Sequence, residues 1–98
     1  MSTTELSDLI RNIPDFPEPG IQFKDITTLL NNGPAFKQTI DLLVTRYAER
    51  KLDAIVGVES RGFIFSAPLA YALGVGLVPV RKAGKLPATT YQVEYELE

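Results

Sequence analysis

Leu6, Leu9, Ile10 and Ile13 fall at i, i+3, i+4 and i+7, the spacing of one helix face. Ser2 and Glu5 have capping-box spacing at its start, and Pro14 ends it. Asp15 to Gly20 reads DFPEPG, and its prolines predict an extended loop with a turn at Pro19-Gly20. Ile21 to Thr27 alternates at first and reads as extended. The clearest helix is predicted over Pro34 to Arg50. Phe36, Ile40, Leu43, Val44 and Tyr47 form its apolar stripe. Proline suits its first turn, and Arg46, Arg50 and Lys51 near its end complement the helix dipole.

Asp53 to Val58 is an apolar run of the kind buried on both faces of a parallel sheet, and Gly76 to Val80 is a second strand. About sixteen residues join them, which suits a right-handed parallel crossover. The start of the joining helix stays open. With Ser60 as N-cap, Pro68 falls in the interior and removes a backbone bond. With Ser66 as N-cap, Pro68 falls in the first turn. Gly74 is the expected stop. RKAGKLP is a polar loop, and Thr89 to Glu98 alternates as a strand.

This order of elements is α/β. Two buried parallel strands are too few for a stable sheet, and their edges demand neighbours. The expectation is therefore the N-terminal portion of a larger domain, or a piece that pairs with another chain. Residues 62–80 carry no charge over 19 positions, long enough for a membrane span. Pro68, Gly74, Gly76 and Pro79 interrupt that run and argue against one. Ninety-eight residues fit one domain at most.

The chain has no cysteine and no histidine. Thiolate chemistry is excluded, and any metal would need oxygen ligands, as magnesium or calcium do. The N-terminus, MSTTELSD, lacks the basic and apolar regions of a secretory signal. The net charge of −2 hides an asymmetry. Residues 1–59 carry nine acids and six bases, whereas residues 60–93 carry no acid and four bases: Arg61, Arg81, Lys82 and Lys85. Glu94, Glu96 and Glu98 follow. A window with only positive charge indicates an anion site.

In α/β sheets, ligands bind beyond the carboxyl ends of the strands. The corner Glu59-Ser60-Arg61-Gly62 occupies one such end and Arg81 to Lys85 the next. A guanidinium grips phosphate bidentately, a glycine admits the ligand to the backbone, and a helix start favours anions. Lysines add mobile charge. The same residues also fit a structural ion pair beside a glycine turn. Upstream, FPEPGIQF reads either as a rigid cover for the core or as a wall for a flat ligand. In the second reading Phe23 is the stacking face, and the backbone at Gln22 and Lys24 offers donors and acceptors.

FPEPGIQFKDIT, VGVESRGFIF, ALGVGLVPVRKAGKLP and YELE, in this order and spacing, resemble the first half of the adenine phosphoribosyltransferase family. The resemblance implies an incomplete type I phosphoribosyltransferase fold: a parallel sheet with flanking helices and the start of a β hood. Residues 1–30 would carry the first helix and the adenine-hood segment, and residues 31–98 the first part of the α/β core. The implied reaction is purine salvage, moving phosphoribosyl from phosphoribosyl diphosphate to adenine to give AMP and diphosphate. Magnesium bound through the diphosphate, a homodimer and a cytoplasmic location are implied too, with no nucleic-acid or membrane partner.

By the same resemblance, Glu59, Ser60, Arg61 and Gly62 form the diphosphate loop, with a cis Glu59–Ser60 peptide. Arg81, Lys82 and Lys85 reach the diphosphate, and in the implied dimer Arg81 serves the neighbouring subunit's site. Gln22, Phe23 and Lys24 bind adenine. Arg61 and Glu98 carry the catalysis, Glu98 by handling a proton of adenine. The family's two acids and Thr/Gly-rich phosphate loop have no counterpart here and are expected beyond Glu98, so residues 1–98 alone are not expected to suffice for turnover. Two other functions fit these residues: a sensing module that binds the sugar diphosphate without turnover, and an assembly fragment with an exposed sheet edge.

Overall fold

The computed structural model describes residues 2–87, 90 and 91. The chain forms two compact units, residues 1–49 and 50–98.

In the first unit, α1 (Thr3–Asp8) opens with the anticipated capping box: Glu5 N–H donates to the Ser2 hydroxyl, and Ser2 N–H donates to the Glu5 carboxylate. It ends earlier than its apolar spacing predicts. Arg11–Pro14 is β1, antiparallel to β2 (Gln22–Asp25), with Ile13 opposite Phe23. Pro14 disfavours helix at Ile13, and the ladder to β2 takes up the backbone instead. The loop between the strands turns where Pro19-Gly20 requires it, and Gly20 N–H donates to the Asp15 carboxylate.

The extended segment that starts at Ile21 stops at Asp25, because Thr27–Leu30 forms the one-turn helix α2. Asp25 is the cause. Its Oδ1 accepts from both the backbone N–H and the hydroxyl of Thr27, at 2.9 and 2.7 Å. Its Oδ2 accepts from the Arg11 guanidinium, with Nε at 3.0 Å. One buried carboxylate thus ties β1, β2 and α2 together. The Thr28 hydroxyl adds a bond to the Leu9 carbonyl. Then α3 (Gly33–Tyr47) starts under an Asn32 cap with Pro34 in its first turn. Leu6, Leu29 and Ala35 form the buried cluster, with Leu9 and Ile10 packed on it.

In the second unit, β3 (Ala54–Val58) pairs in parallel with β4 (Gly76–Val80), joined by α4 (Arg61–Leu73). The early helix start is the one adopted: Ser60 is the N-cap, Pro68 lies inside, and Gly74 closes the helix with φ 69°. A proline there forfeits one backbone bond. Packing sets the start regardless, because Ser66, Leu69 and Ala70 are buried at i, i+3 and i+4. The charge-free run of residues 62–80 is thereby split into a 13-residue helix and a strand. Among the described residues no helix is long and apolar enough to cross a membrane.

Burial of β3 on both faces is not what the structure shows. Gly57 faces α4, whereas Val56 and Val58 on the other face are 61% and 50% exposed. Their neighbours Val78 and Val80 are exposed too. Within this unit, among the described residues, α4 covers the two-stranded sheet on the Gly57 side. The predicted strand from Thr89 to Glu98 lies outside the described residues, save Thr90 and Tyr91.

The strand–helix spacing is set at Gly57. A Cβ there would lie 2.1 Å from the Ser66 Oγ and 2.9 Å from its Cβ. Gly57→Ala should therefore cost about 1–3 kcal/mol through overpacking, read as a lower urea midpoint. Ser66→Ala should cost nothing or stabilise slightly, because the buried Ser66 hydroxyl has no hydrogen-bond partner to lose. Equal losses in the two variants would refute this account.

The first unit carries a pH dependence. Hydrogen bonds from the Thr27 side chain, then from Arg11, hold Asp25 at about 2, below its ordinary 3.8. A carboxyl depressed on folding stabilises fully above its unfolded value and loses that contribution as pH falls towards the folded one. Asp25→Asn should be less stable than the unaltered protein at pH 7, and the gap should close between about pH 4 and pH 2. Thermal unfolding across that range checks it; a gap independent of pH would remove Asp25 as the cause.

Candidate functional site

The parallel pairing of β3 and β4 puts their carboxyl ends at one rim. The ladder runs one residue past β3: Glu59 N–H donates to the Val80 carbonyl at 2.9 Å. This brings the corner Glu59–Gly62 beside the segment that follows β4. The Glu59–Ser60 peptide is cis, as the resemblance implies. Arg61 is the first residue of α4 and is exposed. The Ser60 hydroxyl makes no capping hydrogen bond to that first turn. A helix N-terminus without a side-chain cap suits an anion.

Gly62 is informative for what does not crowd it. A Cβ there would meet only the Val58 Cβ at 3.8 Å and the Gly57 carbonyl carbon at 3.9 Å, ordinary contacts. The described residues around it thus leave room for a side chain at 62.

After β4, Lys82 to Lys85 form a tight turn. Lys85 N–H donates to the Lys82 carbonyl at 3.3 Å, and Gly84 takes φ 84°, as the third residue of a type II turn demands. Glu59 reaches across to this turn. Its Oε1 accepts the Lys82 backbone N–H. Its Oε2 lies 3.8 Å from both the Arg81 guanidinium and the Lys85 Nζ. The Glu59 side chain is 13% exposed, whereas those of Arg81 and Lys85 are 36% and 51% exposed. The Lys82 N–H first, then the charges of Lys85, Arg81 and Lys82, hold the Glu59 carboxyl below its usual range against the opposing effect of burial. It is therefore ionised at neutral pH, and the ion-pair reading of the corner holds for Glu59. The cations it gathers remain exposed at the rim.

The second candidate group lies in the other unit, on β2. Gln22 and Lys24 share one face of the ribbon, and both engage Asn12 on β1: the Asn12 amide donates to Gln22 Oε1, and Lys24 Nζ donates to Asn12 Oδ1, each at 2.8 Å. Phe23 alternates to the opposite face and is half-buried. Phe16 meets its ring edge-on, with centroids 5.2 Å apart and planes at 74°. Among the described residues β1 is the sole strand partner of β2. With the Gln22 and Lys24 side chains engaged, their backbone is what a ligand would meet.

Glu59, Arg81, Lys82 and Lys85 are thus brought together, with Ser60, Arg61 and Gly62 continuing the same corner. Gln22, Phe23 and Lys24 form a separate group on β2. Glu98 lies outside the described residues. Sequence reasoning missed Asn12, Arg11 and Asp25. It placed residues 11–13 on a helix, where cross-strand partners are invisible; the signal was Pro14, which already argued for an extended Ile13.

No family model matches the chain. A relative from Chloroflexus aurantiacus, named adenine phosphoribosyltransferase, is 70% identical over 98 residues, all of this chain and 57% of its own length. The crystal structure of adenine phosphoribosyltransferase from Thermoanaerobacter pseudethanolicus superposes with a TM-score of 0.91 at 55% identity, covering 97% of this chain and 56% of that one. The Saccharomyces cerevisiae enzyme, complexed with an imino-altritol bisphosphate and adenine, gives 0.87 at 46% identity over the same shares. The chain spans about half the length of the curated relatives it matches. Over its whole length the chain is therefore similar, in sequence and in fold, to about half of an adenine phosphoribosyltransferase.

Proposed function

We propose that the protein transfers a phosphoribosyl group from phosphoribosyl diphosphate to adenine, giving AMP and diphosphate in purine salvage. The observation that carries this is the rim beyond β3 and β4, where Arg81, Lys82 and Lys85 are gathered beside the Arg61 corner. The names of the relatives, and the bisphosphate analogue and adenine held by the yeast enzyme, support the choice of substrates.

In this reading the bond from the sugar carbon to the diphosphate oxygen breaks, and the diphosphate leaves with the electron pair. An adenine nitrogen forms the new bond to that carbon. Negative charge grows on the leaving group, and Arg61, Arg81, Lys82 and Lys85 lie where they would neutralise it. Arg61 offers two parallel donors, and the adjoining first-turn amides of α4 add theirs. Magnesium would supply further neutralisation, carried on the diphosphate's own oxygens; the described residues hold no cluster of three ligating side chains for it.

Adenine would lie on Phe23, with the backbone at Gln22 and Lys24 reading its edge. Glu98 would take the proton adenine loses. A homodimer in the cytoplasm completes the proposal.

Adenine-dependent release of diphosphate from phosphoribosyl diphosphate tests the reading; binding of the sugar diphosphate without release would favour a sensing module. Arg61→Ala should lower turnover at least tenfold, about 1.4 kcal/mol of lost transition-state stabilisation. An unchanged rate would remove Arg61 from the mechanism. Phe23→Ala should weaken adenine binding by about 1–3 kcal/mol, the range for an aromatic stack on a base. Calorimetric titration with adenine measures it, and unaltered affinity would take Phe23 out of the base site.

A further inference from the structure

Glu59 sits oddly among residues chosen for an anion, because a carboxylate repels one. Its two oxygens do different things. Oε1 accepts a backbone hydrogen bond from Lys82. Oε2 stands 3.8 Å from Arg81 and from Lys85, beyond hydrogen-bond length. One contact fixes main chain, and the other two hold side chains by charge alone. The fixed contact falls at the first residue of the Lys82–Lys85 turn. Glu59 is itself anchored by its own N–H on Val80, so the carboxylate starts from the end of the sheet. The carboxylate is largely buried, while the cations around it are exposed.

We infer that Glu59 is a positioning residue: through the Lys82 N–H it fixes the turn that presents Arg81, Lys82 and Lys85 to the anion, and it does not itself bind that anion. The hydrogen bond sets where the turn sits. The two longer ion pairs keep the cations over the rim with no hydrogen bond to break when they swing to an incoming phosphate. Negative charge beside the anion opposes binding, so the carboxylate acts through the turn. The inference rests on the proposed diphosphate site.

Two substitutions separate acceptor from charge. Glu59→Gln keeps an oxygen for the Lys82 N–H and loses the charge; Glu59→Ala loses both. Hydrogen exchange of the Lys82 amide and calorimetric titration with magnesium diphosphate are measured on the protein and both variants. The expected result is Lys82 exchange at least tenfold faster in Glu59→Ala and near the unaltered rate in Glu59→Gln. Diphosphate affinity should fall at least tenfold in Glu59→Ala and stay within about threefold in Glu59→Gln. Glu59→Gln binding as weakly as Glu59→Ala would overturn the inference, because the charge and not the acceptor would then matter. Lys82 exchange at one rate in all three would overturn it as well. If the unaltered protein binds no diphosphate while exchange follows the expected order, the proposed function fails and Glu59 still positions the turn.

Discussion

The hydrogen bond from the Lys82 main chain to the Glu59 carboxylate is the contact on which the candidate site depends. Glu59 leaves the end of β3, and Lys82 stands two residues past the end of β4. Parallel pairing alone would bring the two strand ends to one rim without specifying where the following loop goes. Three basic residues in a five-residue stretch repel one another and would splay in water. A carboxylate at their centre supplies a point of attachment for the main chain. The sole acid at this rim among the described residues therefore helps to hold the basic turn in place, and its neighbours keep it ionised.

The first unit repeats the device with different partners. Asp25 also ends a strand, is also largely buried, and also accepts a main-chain N–H from the segment that follows, here Thr27. Its second oxygen engages a cation from the neighbouring strand, Arg11. In both units an acid at a strand terminus decides the direction of the next segment. The consequence differs: Asp25 joins one cation to a strand and a helix start, whereas Glu59 stands behind two cations on a turn.

Much of this was legible in the sequence, and the exceptions have physical causes. The start of α3 and the bounds of β4 follow from proline, glycine and apolar spacing, signals that act within a few residues, whereas α3 ends at Tyr47, short of the expected Arg50. The Arg61 corner and the basic turn could be placed at one rim because the βαβ pattern fixes which strand ends lie together. What escaped depended on contacts far along the chain. The ribbon of β1 and β2 needs partners eight to fourteen residues apart, so Leu9, Ile10 and Ile13 could imitate a helix face. The start of α4 could not be chosen locally, because Pro68 argues one way and the buried Ser66, Leu69 and Ala70 the other. Glu59 was assigned to the anion by its place in the motif. Which atom it touches is a matter of loop conformation that no spacing reveals.

A sequence of constraints leads from the core of the second unit to its rim. Gly57 has no side chain, so α4 can lie against β3 with Ser66 at a separation no Cβ would permit. That approach fixes the axis of α4, and with it the first turn, where Arg61 and Gly62 stand three and four residues past the end of β3. Gly62 has room for a methyl group yet carries none. The two glycines thus differ in their surroundings. Gly57 is small because the protein's own helix fills the space. At Gly62 the described residues leave room for a methyl group, at the first turn of the helix whose axis Gly57 sets.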